Sequence, residues 1–407
     1  MKCRHCRTPL NLTFLDLGSA PPSNAYLSID DLARPEVSYP LKLLVCDTCG
    51  LVQTQDYTNA DELFTPDYAY FSSTSTSWLA HAADYCQLIR KRLSLNADSL
   101  VIEVACNDGY LLKNFVAAGI PCLGIEPTDG TAQAAEALGI PVLRRFFGQD
   151  LGVELLERHQ QADLIIGNNV YAHVPDINDF TMGLRAALKP DGVVTLEFPH
   201  LMRLVEFRQF DTVYHEHFSY LSLHTASRIF AAAGLRVFDV EELPTHGGSL
   251  RIYGCREEAE YMETEAVSAL MAEEDSRGVN TTDWYQAFQE KANAVKNGLL
   301  SFLLEQKRLG KTVAGYGAAA KGNTLLNYAG VKSDLLPFIC DAAPSKIGKF
   351  MPGSRIPILS PDVLRTQRPD YLLILPWNIA PEIKQQNAHL AEAGARFVTA
   401  VPELEIS

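Results

Sequence analysis

Short apolar runs, separated by helical stretches of mixed polarity, dominate the middle of the chain. Between residues 101 and 198 these runs are VIEV, CLGIE, PVL, DLIIG and GVVTLEF. Runs that are apolar throughout are typical of parallel strands covered by helices on both faces. The pattern therefore predicts a doubly wound α/β sheet. Two later runs at close spacing, RVFDVEEL and SLRIYGC, predict an antiparallel pair at its edge.

The same rhythm restarts near the end of the chain. A charged, mostly helical stretch at 256–309 is followed by TVAGYG, LPFICD, YLLILPW and RFVTAV. These runs predict a second, Rossmann-like α/β domain. We therefore expect three domains: a small metal-binding domain at 1–66, the first α/β domain at 67–255 and the C-terminal α/β domain at 256–407.

The turn after the first strand carries the clearest chemical signal. In VIEVACNDGYLL the strand turns through Asn107, Asp108 and Gly109 into a helix, and the next strand ends at Glu126. Such an arrangement holds an adenosyl ribose in doubly wound sheets. The G-x-G-x-x-G of a pyrophosphate site is absent, and Glu103 adds a further acid. This acidic turn suits a sulfonium, an ammonium group and ribose hydroxyls, which predicts S-adenosylmethionine.

The N-terminal region contains two thiol pairs. Cys3 and Cys6, and likewise Cys46 and Cys49, are spaced to aim two thiolates each at one ion. Two such pairs predict a tetrahedral, structural zinc site. A nucleic-acid-binding ribbon is the competing interpretation, and the net charge of −14 argues against it.

Composition narrows the setting. The chain has 407 residues, 47% of them hydrophobic, no apolar run long enough to span a membrane and no apolar signal segment at its start. Nine cysteines in such a chain suggest a reducing compartment, so we expect a cytoplasmic protein. Neither nucleic acid nor membrane is an expected partner, and the sequence leaves the oligomeric state open, a monomer included.

Two polar clusters are candidates for catalysis. Asn168 and His173 follow the fourth strand, where ligands bind in open α/β sheets; helix caps and a surface histidine are the alternative. Tyr214, Glu216 and His217 lie between aromatic residues in FDTVYHEHFSYL. Titratable groups in apolar surroundings have shifted pKa values, which suits a general base, although a capped loop would give the same pattern.

Further residues suggest substrate contacts. His246 and Arg251 flank a glycine pair in THGGSLRIY. Lys321 and Asn323 follow a glycine-rich turn in the second α/β unit, and Asp341 ends the next strand. This second turn is small and cationic, as a phosphate site should be. Together the two turns suggest one pocket for a sulfonium and another for a phosphorylated substrate.

Taken in order along nearly the whole chain, these motifs resemble the nucleotide-sugar C-methyltransferase family. The motifs are the four cysteines, YAYFSST, VIEVACNDG, GNNVYAHVPD, TVYHEHFSYL, HGGSLRIY and GYGAAAKGNT. The resemblance implies a zinc-binding N-terminal domain, a class I methyltransferase domain and a C-terminal α/β domain that binds the nucleotide sugar. It also implies an active-site set made of Tyr68, His173, Tyr214, Glu216 and His217.

The cofactor-binding set expected for S-adenosylmethionine is Glu103, Ala105, Asn107, Asp108, Gly109, Glu126 and Asn168. Ala105 and Asn107 stand where methyltransferases commonly have glycine, which leaves the backbone contacts in this turn undefined.

The expected reaction is methylation at C-3′ of a nucleotide-diphosphate-linked 4-keto-6-deoxysugar through an enolate. We expect His217 to remove the C-3′ proton, with Tyr214 and His173 at the enolate oxygen or at a connecting water, and the sequence does not specify which of these three residues is the base. The sequence does not specify the nucleotide, the C-3′ substituent or the stereochemistry. O- or N-methylation of a related sugar or small natural product is the alternative, and a non-catalytic zinc-ribbon adaptor is a more distant one.

Overall fold

The computed structural model describes residues 1–55 and 72–407, and its strands form three sheets. Tyr68 therefore lies outside the described residues. None of the helices in the described ranges combines the length and apolar character that a bilayer crossing requires.

The N-terminal region forms an antiparallel sheet that the sequence pattern did not predict. Its strands are β1 (Leu12–Ala20), β2 (Tyr39–Val45) and β3 (Val52–Thr54). The inward side chains of this sheet pack against the C-terminal part of the chain, where Phe14 stacks on Phe288 with ring centroids 4.9 Å apart. The metal module thus shares a core with the rest of the protein.

The middle of the chain forms the expected doubly wound sheet. Its first parallel strands are β4 (Val101–Val104), β5 (Cys122–Ile125), β6 (Val142–Leu143), β7 (Ala162–Asn168) and β8 (Leu188–Pro199). They are followed by β9 (Ser219–Tyr220), β10 (Leu235–Leu243) and β11 (Ser249–Arg256). The order in the seven-stranded sheet is β10-β11-β8-β7-β4-β5-β6.

Burial agrees with the interior position of β4 in this order. All four residues of β4 are buried, as a central parallel strand requires. The predicted antiparallel pair is confirmed, since β11 pairs antiparallel with both β8 and β10. β9 does not join this sheet: it pairs with β3 and completes the N-terminal sheet, with Gln53 opposite Ser219.

The C-terminal sheet is parallel except at one edge. Its strands are β12 (Val313–Tyr316), β13 (Ile339–Cys340), β14 (Ile358–Leu359), β15 (Tyr371–Ile374), β16 (Arg396–Thr399) and β17 (Glu405–Ile406). The order is β14-β13-β12-β15-β16-β17, with β17 antiparallel. The second α/β unit predicted from the sequence is therefore confirmed.

Helices cover the two parallel sheets and bridge them. Before β12 they are α1 (Thr76–Arg92), α2 (Lys113–Ala117), α3 (Asp129–Ala137), α4 (Gln149–Glu157), α5 (Ile177–Ala187), α6 (Leu201–Glu206), α7 (Leu223–Ala232), α8 (Glu265–Ser276), α9 (Thr282–Gln286) and α10 (Phe288–Arg308). After it they are α11 (Ala320–Ala329), α12 (Val363–Gln367), α13 (Ala380–Gln386) and α14 (Ala388–Glu392).

Side-chain caps fix where several helices begin. Ser75 accepts the N–H of Trp78 at the start of α1, and Asp176 accepts the N–H groups of Asn178 and Asp179 at the start of α5. These caps satisfy N–H groups that have no partner within the helix. They fix the approach of both helices to the strand ends where the site lies.

Candidate active site

A cavity of about 600 Å³ lies at the carboxyl ends of β4, β5 and β7. This is the expected position for a ligand in an open α/β sheet. Its walls come from all three predicted domains, with Asn24 from the first and Lys321 and Lys346 from the last. The sequence suggested that the two turns form separate pockets. That expectation was wrong, because residues from both turns line one cavity.

The turn after β4 keeps a glycine-like backbone without being glycine-rich. Ala105, Asn107 and Gly109 have φ values of +57°, +50° and +76°. Only Gly adopts this region without cost, and alanine is strained there by about 1 kcal/mol. At Gly109 the φ of +76° favours glycine, and a Cβ atom there would also lie 3.2 Å from Cα of Ala135. Ala105 and Asn107 both line the cavity.

Glu126 closes this turn from the end of β5. Its carboxylate accepts the N–H of Asn107 at 3.0 Å, the N–H of Thr128 at 3.0 Å and the hydroxyl of Thr128 at 2.6 Å. It also lines the cavity. The carboxylate is therefore held in one orientation, with its remaining acceptor capacity available to a ribose hydroxyl.

Two of the expected cofactor-binding acids do not line the cavity. Glu103 is buried one residue behind the wall, where burial and the charges of Asp108 and Glu126 raise its pKa well above the ordinary value. The Asp108 carboxylate accepts the N–H of Ser73 at 3.0 Å, and the side-chain oxygen of Asn107 accepts that of Ser72 at 2.9 Å. Asp108 thus anchors the approach to α1.

Asn168 provides the strongest sign that a ligand belongs here. It lines the cavity, yet its side-chain oxygen and nitrogen are buried without a hydrogen-bond partner within residues 1–55 and 72–407. Buried amides are normally satisfied. A polar ligand between Asn168 and Glu126 would satisfy both, which fits the adenosyl ribose of S-adenosylmethionine.

Aromatic residues that the sequence reasoning missed complete this wall. Phe146, Phe147 and Trp78 line the cavity, and Phe146 is half exposed although it is apolar. A flat, apolar ligand surface would cover it. The only sequence signal was the adjacent phenylalanine pair after a short apolar run.

The structure brings His173 and His217 together. Their ring centroids lie 4.5 Å apart at 74°, and the ring of Tyr214 lies 4.0 Å from that of His217. All three residues line the cavity. The two sequence clusters, more than forty residues apart, therefore form one group.

The protonation state of His217 follows from its contacts. Its Nδ1 lies 2.9 Å from the carbonyl oxygen of Thr212, which can only accept, so Nδ1 carries the proton and Nε2 keeps its lone pair. Burial lowers the pKa of His217 well below its ordinary value, and the neighbouring His173 and Lys321 act in the same direction. His217 is therefore neutral at pH 7, with one nitrogen able to take a proton.

Glu216 is held by the N-terminal domain. Nδ2 of Asn24 donates to both carboxylate oxygens of Glu216, at 2.8 and 2.9 Å. Asn24 lies in the proline-containing turn after β1, which carried no catalytic signal in the sequence. Its donation fixes Glu216 at the cavity wall, where both residues lie.

Of the two substrate contacts expected around the glycine pair, one lines the cavity and the other does not. His246 lines the cavity and its Nε2 accepts from Nδ2 of Asn169 at 2.7 Å. Arg251 does not line it: its guanidinium bonds Glu197 at 2.8 Å, buried beneath the wall. The expectation that Arg251 contacts the substrate was therefore wrong, because its guanidinium forms an ion pair with the buried Glu197 carboxylate.

Among the residues expected to bind substrate near the glycine-rich turn of the second α/β unit, some likewise line the cavity and others do not. Lys321 lines the cavity, donating to Oδ1 of Asn378 at 2.7 Å and lying 4.5 Å from the Trp377 ring centroid. Lys346, also at the cavity, donates to the carbonyl of Ala318 at 2.8 Å. The C-terminal wall is thus cationic.

Asn323 and Asp341 are absent from the lining of this cavity. Asn323 donates to the carbonyl of Ser23 at 2.7 Å, and the Asp341 carboxylate accepts the N–H groups of Ala318 and Ala343 at 2.7 and 2.8 Å. Both side chains are occupied by backbone groups. Their expected roles in substrate binding do not fit this geometry.

The four cysteines of the N-terminal module converge. The Sγ atoms of Cys3, Cys6, Cys46 and Cys49 all lie within 4.8 Å of one another. A tetrahedral zinc–thiolate site, with Zn–S bonds of about 2.3 Å, needs sulfur atoms at this spacing. Gly50, with φ +77°, donates its N–H to the Cys46 carbonyl at 2.9 Å and closes the second knuckle. The donor set therefore fits zinc.

A pH-dependent stability difference is expected from His173. Burial lowers the pKa of His173 to about 4, whereas an unfolded histidine titrates near 6.5. Between these values the unfolded chain binds a proton that the native state excludes, so stability is lost as the pH falls below about 6.5. The melting temperature of His173→Gln relative to wild type should therefore rise by a few degrees between pH 7.5 and 5.

The two proteins must be compared at each pH, because Asp211 changes the stability of the native state with pH in the opposite direction to His173. Burial raises the pKa of the Asp211 carboxyl to about 6, so its contribution grows as the pH falls. Differential scanning fluorimetry of both proteins at constant ionic strength cancels this shared contribution. A relative melting temperature that is flat or falls towards pH 5 would contradict a neutral, buried His173.

Three family models match the chain in succession. A zinc binding domain matches residues 3–64, a methyltransferase domain matches 78–240 and a C-methyltransferase C-terminal domain matches 244–402. The C-methyltransferase NovU of Streptomyces niveus is 36% identical over 402 residues, covering 99% of this chain and 96% of that protein. A ubiquinone biosynthesis O-methyltransferase of Rhodopseudomonas palustris is 24% identical over 106 residues, covering 26% of this chain and 42% of its own length.

Two solved methyltransferase structures align with part of the chain. Magnesium protoporphyrin IX methyltransferase (ChlM) from Synechocystis, with bound SAH, is 13% identical, with a TM-score of 0.35, and covers 44% of this chain and 84% of its own. An S-adenosylmethionine-dependent methyltransferase from Mesorhizobium loti is 16% identical, with a TM-score of 0.35, and covers 44% of this chain and 100% of its own.

Proposed function

Because the chain belongs to the C-methyltransferase family, we propose that this S-adenosylmethionine-dependent methyltransferase methylates C-3′ of a nucleotide-diphosphate-linked 4-keto-6-deoxysugar. The observation that supports the proposal most is the neutral His217 in a cavity with two unlike walls. The wall around Glu126 and Asn168 suits the cofactor, and the wall around Lys321 and Lys346 suits an anionic diphosphate.

Carbon is a poor nucleophile, so the reaction begins with a base. When bound, S-adenosylmethionine supplies an electrophilic methyl group. A ketone at C-4′ acidifies the hydrogen at C-3′. The lone pair on Nε2 of His217 would accept that proton. The resulting enolate is negative at oxygen, where the Tyr214 hydroxyl and His173 are candidates to donate hydrogen bonds. The enolate carbon would take the methyl group as the methyl–sulfur bond breaks, which would regenerate the ketone and leave S-adenosylhomocysteine. His217 would then release its proton to solvent.

The charges of the site suit these two ligands at once. Lys321 is buried, which lowers its pKa, while the nearby Asp211 opposes that shift. The negative charges of a diphosphate beside Lys321 would offset the repulsion that the Lys321 charge exerts on an imidazolium at His217. Substrate binding is thus expected to make His217 a stronger base.

The partner and location follow as proposals. The small-molecule substrate is a sugar nucleotide, with neither nucleic acid nor membrane involved, and the acidic chain supports this. Cysteine thiolates as zinc ligands are compatible with the cytoplasm, since a reducing compartment keeps them available.

The test combines a substrate panel with isotopes. The protein is incubated with methyl-labelled S-adenosylmethionine and dTDP-, GDP- or CDP-linked 4-keto-6-deoxysugars, and the product is analysed by mass spectrometry and ¹³C NMR. We expect one new methyl on carbon and loss of the C-3′ hydrogen. The matched control is the same sugar nucleotide with a hydroxyl at C-4′, which should not react.

O- or N-methylation would give a different result. Those reactions need a base but no ketone, so the C-4′ hydroxyl control would turn over and the C-3′ hydrogen would remain. A labelled methyl on oxygen or nitrogen would therefore overturn the proposal, while leaving the methyltransferase family membership intact.

A further inference from the structure

A buried arginine sits inside the first zinc knuckle. Arg4 lies between Cys3 and Cys6, and only 8% of its surface is exposed. Its backbone N–H donates to Oε1 of Gln53 at 2.9 Å, while Nε2 of Gln53 lies 3.4 Å from the sulfur of Cys3. Both the position and the direction of Arg4 are therefore fixed by the metal module.

The guanidinium of Arg4 reaches out of that module. Nη1 donates to the carbonyl oxygen of Pro175 at 2.9 Å, and the central carbon lies 4.9 Å from the centroid of the Phe218 ring. Nη2 lies 3.4 Å from the carbonyl oxygen of Thr54. A planar, always charged group with several donors is suited to hold such separate partners in one geometry.

Two of these partners, Pro175 and Phe218, belong to the two segments that carry the histidine pair. Pro175 follows His173 by two residues, and Phe218 follows His217 directly. The two segments are also joined to each other, because the N–H of Phe218 donates to the carbonyl of Ala172 at 2.8 Å. Arg4 thus contacts both the His173 segment and the His217 segment, close to the contact between the two histidine rings.

The zinc module reinforces this junction through its backbone. The N–H of Thr54 donates to the carbonyl of Phe218 at 3.2 Å, and Gln53 pairs with Ser219 in the N-terminal sheet. The neighbouring knuckle residue, His5, contacts the side chain of Asn178 in α5 at 2.8 Å. The segment after His217 is therefore a strand of the zinc module.

We propose that Arg4 is a positioning residue for methyl transfer, which holds the segments of His173 and His217 in register with the zinc site. The proposal rests on the proposed function insofar as His217 is the base. Its physical basis is that a displacement of about 1 Å between reacting groups can cost on the order of 10² in rate. The zinc module then contributes to the geometry of the reaction as well as to folding.

The test compares Arg4→Gln and Arg4→Lys with Lys2→Gln. Lys2 is exposed, lies in the same segment and undergoes the same loss of charge, so it is the matched control. We expect Arg4→Gln to lower kcat by about 10- to 100-fold, with KM, zinc content and the affinity for S-adenosylhomocysteine nearly unchanged. Arg4→Lys should have a higher kcat than Arg4→Gln but a lower one than wild type. Lysine keeps the positive charge above Phe218 but lacks the two guanidinium nitrogens that contact the Pro175 and Thr54 carbonyls.

Histidine ring NMR separates positioning from general damage. In ¹⁵N-labelled protein the ring signals of His173 and His217, assigned with single variants, should shift in Arg4→Gln and stay in place in Lys2→Gln. Unchanged kcat and unchanged ring signals would overturn the proposal. Loss of zinc together with a collapsed melting temperature would also overturn it, because Arg4 would then be a folding residue only.

Failure here is distinguishable from failure of the proposed function. If wild-type protein methylates no 4-keto sugar, the proposed function fails, yet the NMR comparison still tests whether Arg4 positions the histidines. If wild type is active and Arg4→Gln matches it, only the role of Arg4 is lost.

Discussion

Replacing His217 with asparagine is expected to lower kcat by about 10²-fold or more, while S-adenosylhomocysteine binds almost as before. The Asn side-chain nitrogen takes roughly the place of Nδ1, so the bond to the Thr212 carbonyl, 2.9 Å in the native protein, can persist. The substitution removes Nε2 and its lone pair. The cofactor wall around Glu126 and Asn168 is not altered.

A partial reaction isolates this step from methyl transfer. With S-adenosylhomocysteine in place of the donor, wild type in deuterated water should exchange the C-3′ hydrogen of a 4-keto sugar nucleotide, and His217→Asn should not. His159→Asn is the matched control, since His159 is exposed and does not line the cavity. Turnover and exchange near wild-type levels in His217→Asn would remove His217 from the role of base.

The two parallel sheets were predictable because their signal is local. Mostly apolar runs such as VIEV lie at the centre of the first sheet, fully buried, and the turn after VIEV leads from strand to helix as expected. Even Ala105 and Asn107, which replace common glycines, adopt positive φ values of +57° and +50°. Strand, turn and helix follow one another in sequence, so each constrains the next.

The N-terminal sheet was not predictable in the same way. β3 pairs with β9 across more than 160 residues, Gln53 opposite Ser219. β9 has only two residues, Ser219 and Tyr220, and so is too short for a periodic pattern. The sequence therefore indicated a separate metal module, whereas the pairing makes it part of the candidate active site.

Two residues near the second turn, Asn323 and Asp341, do not line the cavity for a related reason. Asn323 and Asp341 are polar and lie beside a glycine-rich turn, which is how phosphate and sugar ligands are often held. Their partners are backbone groups, the carbonyl of Ser23 and the N–H of Ala318. Backbone partners leave no mark in composition or spacing, and only the fold reveals that these side chains are already occupied.

Loss of zinc is expected to disable the enzyme as well as to destabilise it. Structural zinc–thiolate sites contribute on the order of 10 kcal/mol to the folding of isolated modules. Here the module also packs its Phe14 against Phe288 and extends its sheet with Ser219–Tyr220. Cys46→Ser should therefore abolish stoichiometric zinc, lower the melting temperature on the order of 10 °C and reduce kcat, because the strand next to His217 loses its support.

Cys340→Ser provides the control for this prediction. Cys340 is equally buried, but it lies in β13 and its sulfur donates to the carbonyl of Ser360 at 3.5 Å, which a serine hydroxyl can imitate. This variant should keep one zinc per chain by atomic emission and most of kcat. If Cys46→Ser lost its zinc yet kept wild-type kcat, the zinc module would be separate from the reaction, and the continuity of its sheet with the histidine segment would have no functional consequence.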